Sequence, residues 1–161
     1  MVSVSIRALR PDEKDLLLRA TVENLNWQTE RFTTEDILAS PDAVYYTELS
    51  PNRGDFGFVA LYEDDPVGVG WALFLPASNP GWGFVDREIP EISLWVSDTY
   101  RRQGLGRALI HALQHAARMR DYPGLSLSVE PGNPARQLYL DEGFVDVSED
   151  ATHPVMVWRR G

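Results

Sequence analysis

From Val2 to Arg7 apolar and polar residues alternate strictly, Val2, Val4 and Ile6 against Ser3, Ser5 and Arg7, which is the period of a half-buried strand. Pro11-Asp12-Glu13 then places a proline and two acids where a helix begins, and Leu16, Leu17, Ala20 and Val22 give it an inner face as far as Asn24. Short helices are expected from Thr33 or Thr34 to Ala39, opened by Glu35 and Asp36, and from Asp42 to Leu49.

Two β-rich runs follow, Phe56 to Tyr62 and Val67 to Leu75, joined by Glu63-Asp64-Asp65-Pro66 as a hairpin turn. The second has Gly68, Gly70 and Ala72 on one face, a smooth surface that lets a helix or a ligand come close. Ala77 to Glu88 reads as a loop exposing Trp82 and Phe84. Ile92 to Val96 is a strand, and Leu105 to Arg120 a helix with Leu105, Leu109, Ala112, Leu113 and Ala116 inward. Leu125 to Val129 follows that helix with no room for a hairpin, so it should lie parallel to Ile92–Val96 through a crossover. Asn133 to Glu142 is a helix stopped by Gly143, and Phe144–Val147 with Val155–Trp158 closes the chain as a hairpin. The pattern predicts a single-domain α/β fold over residues 1–161, a mixed sheet of about seven strands around one central parallel βαβ unit.

Composition narrows what such a fold can do. Without cysteine there is no disulfide framework, no thiolate metal site and no cysteine nucleophile. The longest near-apolar run, Pro66 to Pro76, falls well short of the ~20 residues of a membrane span. Met1 to Arg10 lacks the order of a signal peptide, so a cytoplasmic location with no membrane partner is expected. The net charge of -9 disfavours nucleic acid as a partner. That charge is unevenly placed: Thr99 to Arg120 holds Arg101, Arg102, Arg107, Arg118 and Arg120 and no acid, leaving -14 on the rest.

The basic segment lies where a strand runs into a glycine-containing loop and directly into a helix. Gly104 and Gly106 let backbone approach a bulky anion, and the free N–H groups of the first helical turn point at it. Arg101, Arg102 and Arg107 add charge suited to phosphate. A dinucleotide fingerprint fails because its third glycine position is Leu109, and a P-loop fails because the only lysine is Lys14. His111 and His115 have helical metal-ligand spacing, but they fall on the polar face with no third ligand, so no metal is expected.

The order Arg101-Arg102-Gln103-Gly104-Leu105-Gly106 resembles the signature of the GCN5-related N-acetyltransferase (GNAT) family. A second segment, Asn133-Pro134-Ala135-Arg136-Gln137-Leu138-Tyr139-Leu140-Asp141-Glu142-Gly143-Phe144, resembles another part of the same family. The close match runs from Glu91 to Phe144; the residues before it agree only in element order and length.

The resemblance implies a GNAT-like acyl-CoA N-acyltransferase fold, acetyl-CoA as co-substrate, and acetyl transfer to an amine by direct attack in a ternary complex. It implies that Arg101, Arg102, Gln103, Gly104, Leu105, Gly106 and Arg107 receive the pyrophosphate. The pantetheine arm would run along the strand carrying Leu94 and Val96, in a V-shaped gap beside Leu125–Val129, with Asn133 and Arg136 assisting from the other side. Tyr139 falls where the family places a thiolate-protonating tyrosine, although the same tyrosine fits simple packing in a helix face. Glu91 resembles the family's amine-deprotonating glutamate. Its spacing is off by one residue, which turns it to the wrong face unless a bulge restores it, and a solvated strand-end carboxylate is the plain alternative. Glu130 is the second candidate base. Trp27, Trp82 and Phe84 fall in segments that cover the acceptor side in the family, or serve as core and lid packing. A non-catalytic CoA-binding sensor or regulatory module is the alternative function. The acceptor is open among small-molecule and peptide amines, and the oligomeric state between monomer and homodimer.

Overall fold

The β-rich runs of the sequence become the strands of a single sheet. The computed structural model describes residues 3–148 and 154–161, so Val2 lies outside the described residues. The strands are β1 (Val4–Ala8), β2 (Phe56–Tyr62), β3 (Asp65–Leu73), β4 (Glu91–Val96), β5 (Gly124–Ser128), β6 (Val145–Asp146) and β7 (Val155–Arg159), in spatial order β1-β2-β3-β4-β5-β7-β6. Helices α1 (Lys14–Leu25), α2 (Thr34–Ala39), α3 (Leu105–Met119) and α4 (Ala135–Asp141) connect them. Among the described strands only β4 and β5 run parallel, joined through α3; the other neighbours are antiparallel. The expected mixed α/β sheet around a βαβ unit is therefore what the chain forms.

The sheet is covered on both faces. Leu17 and Ala20 of α1 pack with Tyr46, Leu49, Val59, Val69, Trp71, Leu73 and Trp95 on one side. On the other, Ile110, Leu113 and Ala117 of α3 meet Ile92, Leu125, Leu127, Phe144 and Met156. The smooth face of β3 receives a helix: a Cβ on Gly70 would sit 3.0 Å from Leu113 Cδ1, so α3 lies directly on the strand. Each fully buried Leu of this interface is worth roughly 1.5–3 kcal/mol of transfer free energy.

Several boundaries differ from the sequence reading. The β2–β3 turn is tighter, with Glu63 at φ 55° and Asp65 already paired with Tyr62. The same strand ends at Leu73 rather than Leu75, because the Phe74 N–H leaves the ladder for Asp55 Oδ1 at 2.8 Å. Asp42–Leu49 yields only a 3-10 turn at Val44–Thr47, where the Thr47 hydroxyl donates back to Val44 O at 2.7 Å. Ala112 and Ala116 are only half-buried, while Ile110, Gln114 and Ala117 are buried. The helix is rolled toward α4, and Gln114 Nε2 donates to Glu142 O at 2.9 Å. Ile6 is 40% exposed, since β1 is an edge strand with incomplete cover.

Candidate active site

Backbone parity along β4 sets up the site. Ser126 N–H donates to Pro90 O at 3.0 Å on the β5 side, and Ser97 N–H donates to Val67 O at 2.9 Å on the β3 side. Alternation then turns the N–H and C=O of Ile92, Leu94 and Val96 toward β5 and those of Glu91, Ser93 and Trp95 toward β3. The β4–β5 ladder consists of one pair, Glu91 with Ser126. Beyond it the strands part, and Leu94 and Val96 face the gap with backbone groups that β5 does not meet.

The two carbonyls on this edge are taken from elsewhere. Asn24 Nδ2, at the end of α1, donates to Leu94 O at 3.0 Å, and Arg101 Nε donates to Val96 O at 3.3 Å. The Leu94 and Val96 N–H groups have no acceptor among the described residues. A strand edge of free donors beside a cleft is what an extended amide-bearing chain requires.

The loop after β4 passes through a 3-10 turn at Asp98–Tyr100 into α3. Gly104, at φ 83°, makes the left-handed turn into the helix, and a Cβ there would meet nothing within 4 Å. No side chain caps α3; its first internal bond, Ala108 N–H to Gly104 O at 3.0 Å, leaves the Leu105, Gly106 and Arg107 N–H groups without intrahelical acceptors. Gly106 has a packing reason, since a Cβ would stand 3.0 Å from Leu138 Cδ2 of α4. Arg102, itself at φ 62°, and Gln103 are exposed.

The arginines of this segment do not form one cationic surface. Arg101 pairs with Asp98 at 3.0 Å, and Arg107 with Glu142 at 2.5 Å. Arg118 lies over Trp158 and Arg120 over Phe56, 4.9 and 4.4 Å from the ring centroids. Arg102 alone of the five makes no hydrogen bond, ion pair or ring contact among the described residues. His111 belongs to the same cluster as Arg107, with Nε2 2.8 Å from Glu142 Oε2.

Two further members of the second sequence segment have local partners. Asn133 Oδ1 accepts the Ala135 N–H at 2.9 Å at the start of α4. Arg136 reaches Asp146 of β6, with Nη1 2.8 Å from Oδ1. Tyr139 is buried on the α3 face among Ile92, Leu125, Leu127 and Val129, edge-on to Phe144 at 5.8 Å. Burial pushes its hydroxyl up to about 12, so it holds its proton at neutral pH.

Glu91 occupies the apex of the gap on the opposite face. The β3–β4 register runs unshifted from Gly68–Val96 to Leu73–Glu91, so no bulge in β4 restores the expected face: the one-residue offset stands, and Glu91 turns to the same side as Trp95, toward Tyr46 and the loop before β4. Nor is it a solvated strand-end acid: it is 7% exposed. The Tyr46 hydroxyl donates to its Oε2 at 2.6 Å, whereas Oε1 has no hydrogen-bond partner among the described residues. Burial outweighs the opposing pulls of Tyr46 and of the Gly83 N–H, raising the Glu91 carboxyl from 4.5 to about 7. Tyr46 is pushed up by its own burial and by the neighbouring carboxylate.

The loop between β3 and β4 is the cover. Trp82 stacks on Tyr46 with centroids 5.2 Å apart, and the Trp82 N–H donates to the Tyr46 hydroxyl at 2.9 Å. Trp82 and Phe84 themselves remain 44% and 41% exposed. A cavity of about 10 Å³ lies beneath this loop against Glu91, Leu73, Ile89 and Phe84, room for about one water. Glu130 is instead half-buried and paired with Arg31 at 2.8 Å. Tyr46 and Asn24 gave no signal in the sequence, since each acts across a long separation in the chain.

Residues 21–144 match the Acetyltransferase (GNAT) family, and the chain belongs to that family. It is an acyltransferase. Similar solved structures include a GNAT acetyltransferase from Staphylococcus aureus Mu50 (14% identity, TM-score 0.75, 99% of this chain and 100% of that one). The PaiA N-acetyltransferase from Thermoplasma acidophilum, in complex with coenzyme A, aligns at 15% identity and TM-score 0.67 over 98% of this chain and 99% of its own. A ribosomal-protein-alanine N-acetyltransferase from Brucella melitensis reaches 25% identity and TM-score 0.66 over 96% and 99%. No curated protein matches the sequence.

Proposed function

We propose that this acetyltransferase moves the acetyl group of acetyl-CoA to a primary amine by direct attack in a ternary complex. The observation that carries the reading is the one-pair β4–β5 ladder, which opens a gap lined by free N–H groups with a buried carboxylate at its apex. The chain's own groups suit the co-substrate. The uncapped N-terminus of α3, the open side of Gly104 and the unpaired Arg102 receive the pyrophosphate. The Leu94 and Val96 N–H groups receive the amides and the acetyl carbonyl, where they stabilise developing negative charge. When bound, acetyl-CoA supplies an activated carbonyl to the amine nitrogen and loses its sulfur as a thiolate.

Two proton transfers fall to the protein. An amine is mostly ammonium at neutral pH, and Glu91, whose carboxyl titrates at about 7, takes its proton. Tyr139, neutral and on the other face of the sheet, gives a proton to the leaving sulfur, and the proton lost by the nitrogen on forming the amide returns the balance through solvent. The absence of cysteine removes an acyl-cysteine route.

A thiol-release assay with acetyl-CoA and longer acyl-CoAs across amine classes tests the reading; the Brucella relative places alanine N-terminal peptides on that panel. Tyr139→Phe is expected to cut turnover at least ~10-fold while CoA affinity stays nearly intact. Stabilisation by CoA without thiol release on any amine would overturn the reading in favour of a binding module.

A further inference from the structure

Glu91 Oε1 is not the only buried polar atom at the apex without a protein partner. Ser126 is 0% exposed, and its Oγ likewise has no hydrogen-bond partner among the described residues. These two residues form the single β4–β5 pair, so their Cα atoms are neighbours and their side chains leave the sheet on the same face. The packing agrees with this parity. Leu125 and Leu127 point into the α3 cluster, which leaves Ser126 on the side of Tyr46 and the covering loop. That loop crosses here, for a Cβ on Gly83 would stand 2.6 Å from the Leu127 carbonyl carbon.

A buried hydroxyl and a buried carboxylate oxygen, each without a partner among the described residues and carried by paired positions, are costly unless something joins them. A water bridging the two would gain an acceptor in Glu91 Oε1 and a donor or acceptor in Ser126 Oγ, which meets the usual need of a buried water for two or more polar partners. The other groups facing this point are the Tyr46 hydroxyl and the Gly83 N–H.

We propose that Ser126 is a positioning residue of the acyl transfer: with Glu91 Oε1 it holds the water through which the acceptor's ammonium proton reaches Glu91. The step rests on the amine-acetylation reading above. In it the N–H⁺ bond breaks, the water accepts that proton and passes one of its own to Oε1, and the amine is left with its lone pair. Serine supplies this without adding charge at the apex, and the separation of residues 91 and 126 in the chain explains why no local motif announces it.

Ser126→Ala removes the hydroxyl and keeps the volume nearly constant, so the variant is expected to melt at or above the wild-type temperature, with its stabilisation by CoA unchanged. Turnover at pH 7 should fall ~10-fold, and the deficit should shrink as pH rises and the acceptor amine loses its proton to bulk solvent. A second readout needs no acceptor: in ¹³C-carboxyl NMR, Glu91 in Ser126→Ala should titrate ~0.5 pH unit or more higher, because the charged form loses a hydrogen bond. Turnover within twofold of wild type from pH 6 to 10, or an unmoved Glu91 titration, would overturn the proposal. So would a loss equal at every pH, which marks a structural role. If the wild-type chain acetylates no amine while Glu91 still shifts in Ser126→Ala, the water site stands and the amine-transfer reading fails.

Discussion

At its C-terminal end β4 offers backbone groups to open space and leads into an uncapped helix, with Gly104 facing no neighbour and Arg102 without a partner. At its N-terminal end the same strand carries a carboxylate buried to 7% exposure, gripped by Tyr46 and roofed by a loop. The open end is shaped by main-chain geometry and the closed end by side chains from four separate stretches of sequence. An open donor edge suits a long, flexible co-substrate that supplies its own amides and phosphates. A buried carboxylate suits proton transfer, because removal from water raises its pKa to about 7.

The largest effect expected from breaking this contrast comes from Glu91→Gln. Turnover at pH 7.5 should fall ~10²-fold or more, and the acid limb near pH 7 should vanish from the kcat profile, as stopped-time thiol release across pH will show. Stability should move the opposite way. The folded-state carboxyl is raised from 4.5 to about 7, so ionisation costs the native state increasingly between those values and by a constant amount above them. Relative to wild type, the glutamine variant is therefore stabilised at pH 8, by up to ~3 kcal/mol, and not at pH 4. Melting curves with the same difference at both pH values would contradict burial as the cause.

Next comes the roof. A Cβ on Gly81 would overlap Glu91 Oε1 and the Tyr46 hydroxyl, neither of which can retreat from the packed face. Gly81→Ala should thus lift the loop, break the Trp82–Tyr46 stack and lower turnover ~10-fold, with CoA affinity held. Tryptophan fluorescence and CoA titration together check it; weakened CoA binding would mean that the two ends are not independent.

The order of elements along the chain, the central crossover and the loop from Arg101 to Gly106 were legible because each depends on local spacing: periodicity, a turn, glycines at a helix start. The closed end was only half legible. Glu91 was recognisable as a carboxylate at a strand start, but its burial depends on Tyr46, Gly81 and Gly83, and no periodicity links those positions to residue 91. Charge misled in a related way. The arginines of Thr99–Arg120 look like one patch along the chain, yet helical geometry distributes them to Asp98, Glu142, Trp158 and Phe56. Composition counts charges; it does not count their partners.

That distribution sets the smallest effect. Arg102 stands exposed at the entrance to α3, where screening limits a single guanidinium to roughly 0.3–1 kcal/mol toward an anion. Arg102→Ala should weaken CoA binding about two- to fivefold, with the loss falling on KM for acetyl-CoA and fading as salt rises. Arg107→Ala should cost less in CoA affinity and more in melting temperature, because its guanidinium ties α3 to Glu142 at the end of α4. Calorimetric titration of both variants at two salt concentrations separates the cases. If Arg107→Ala proves the worse CoA binder, the Glu142 pair must open when the co-substrate arrives, and the open end of β4 is less preformed than its backbone makes it look.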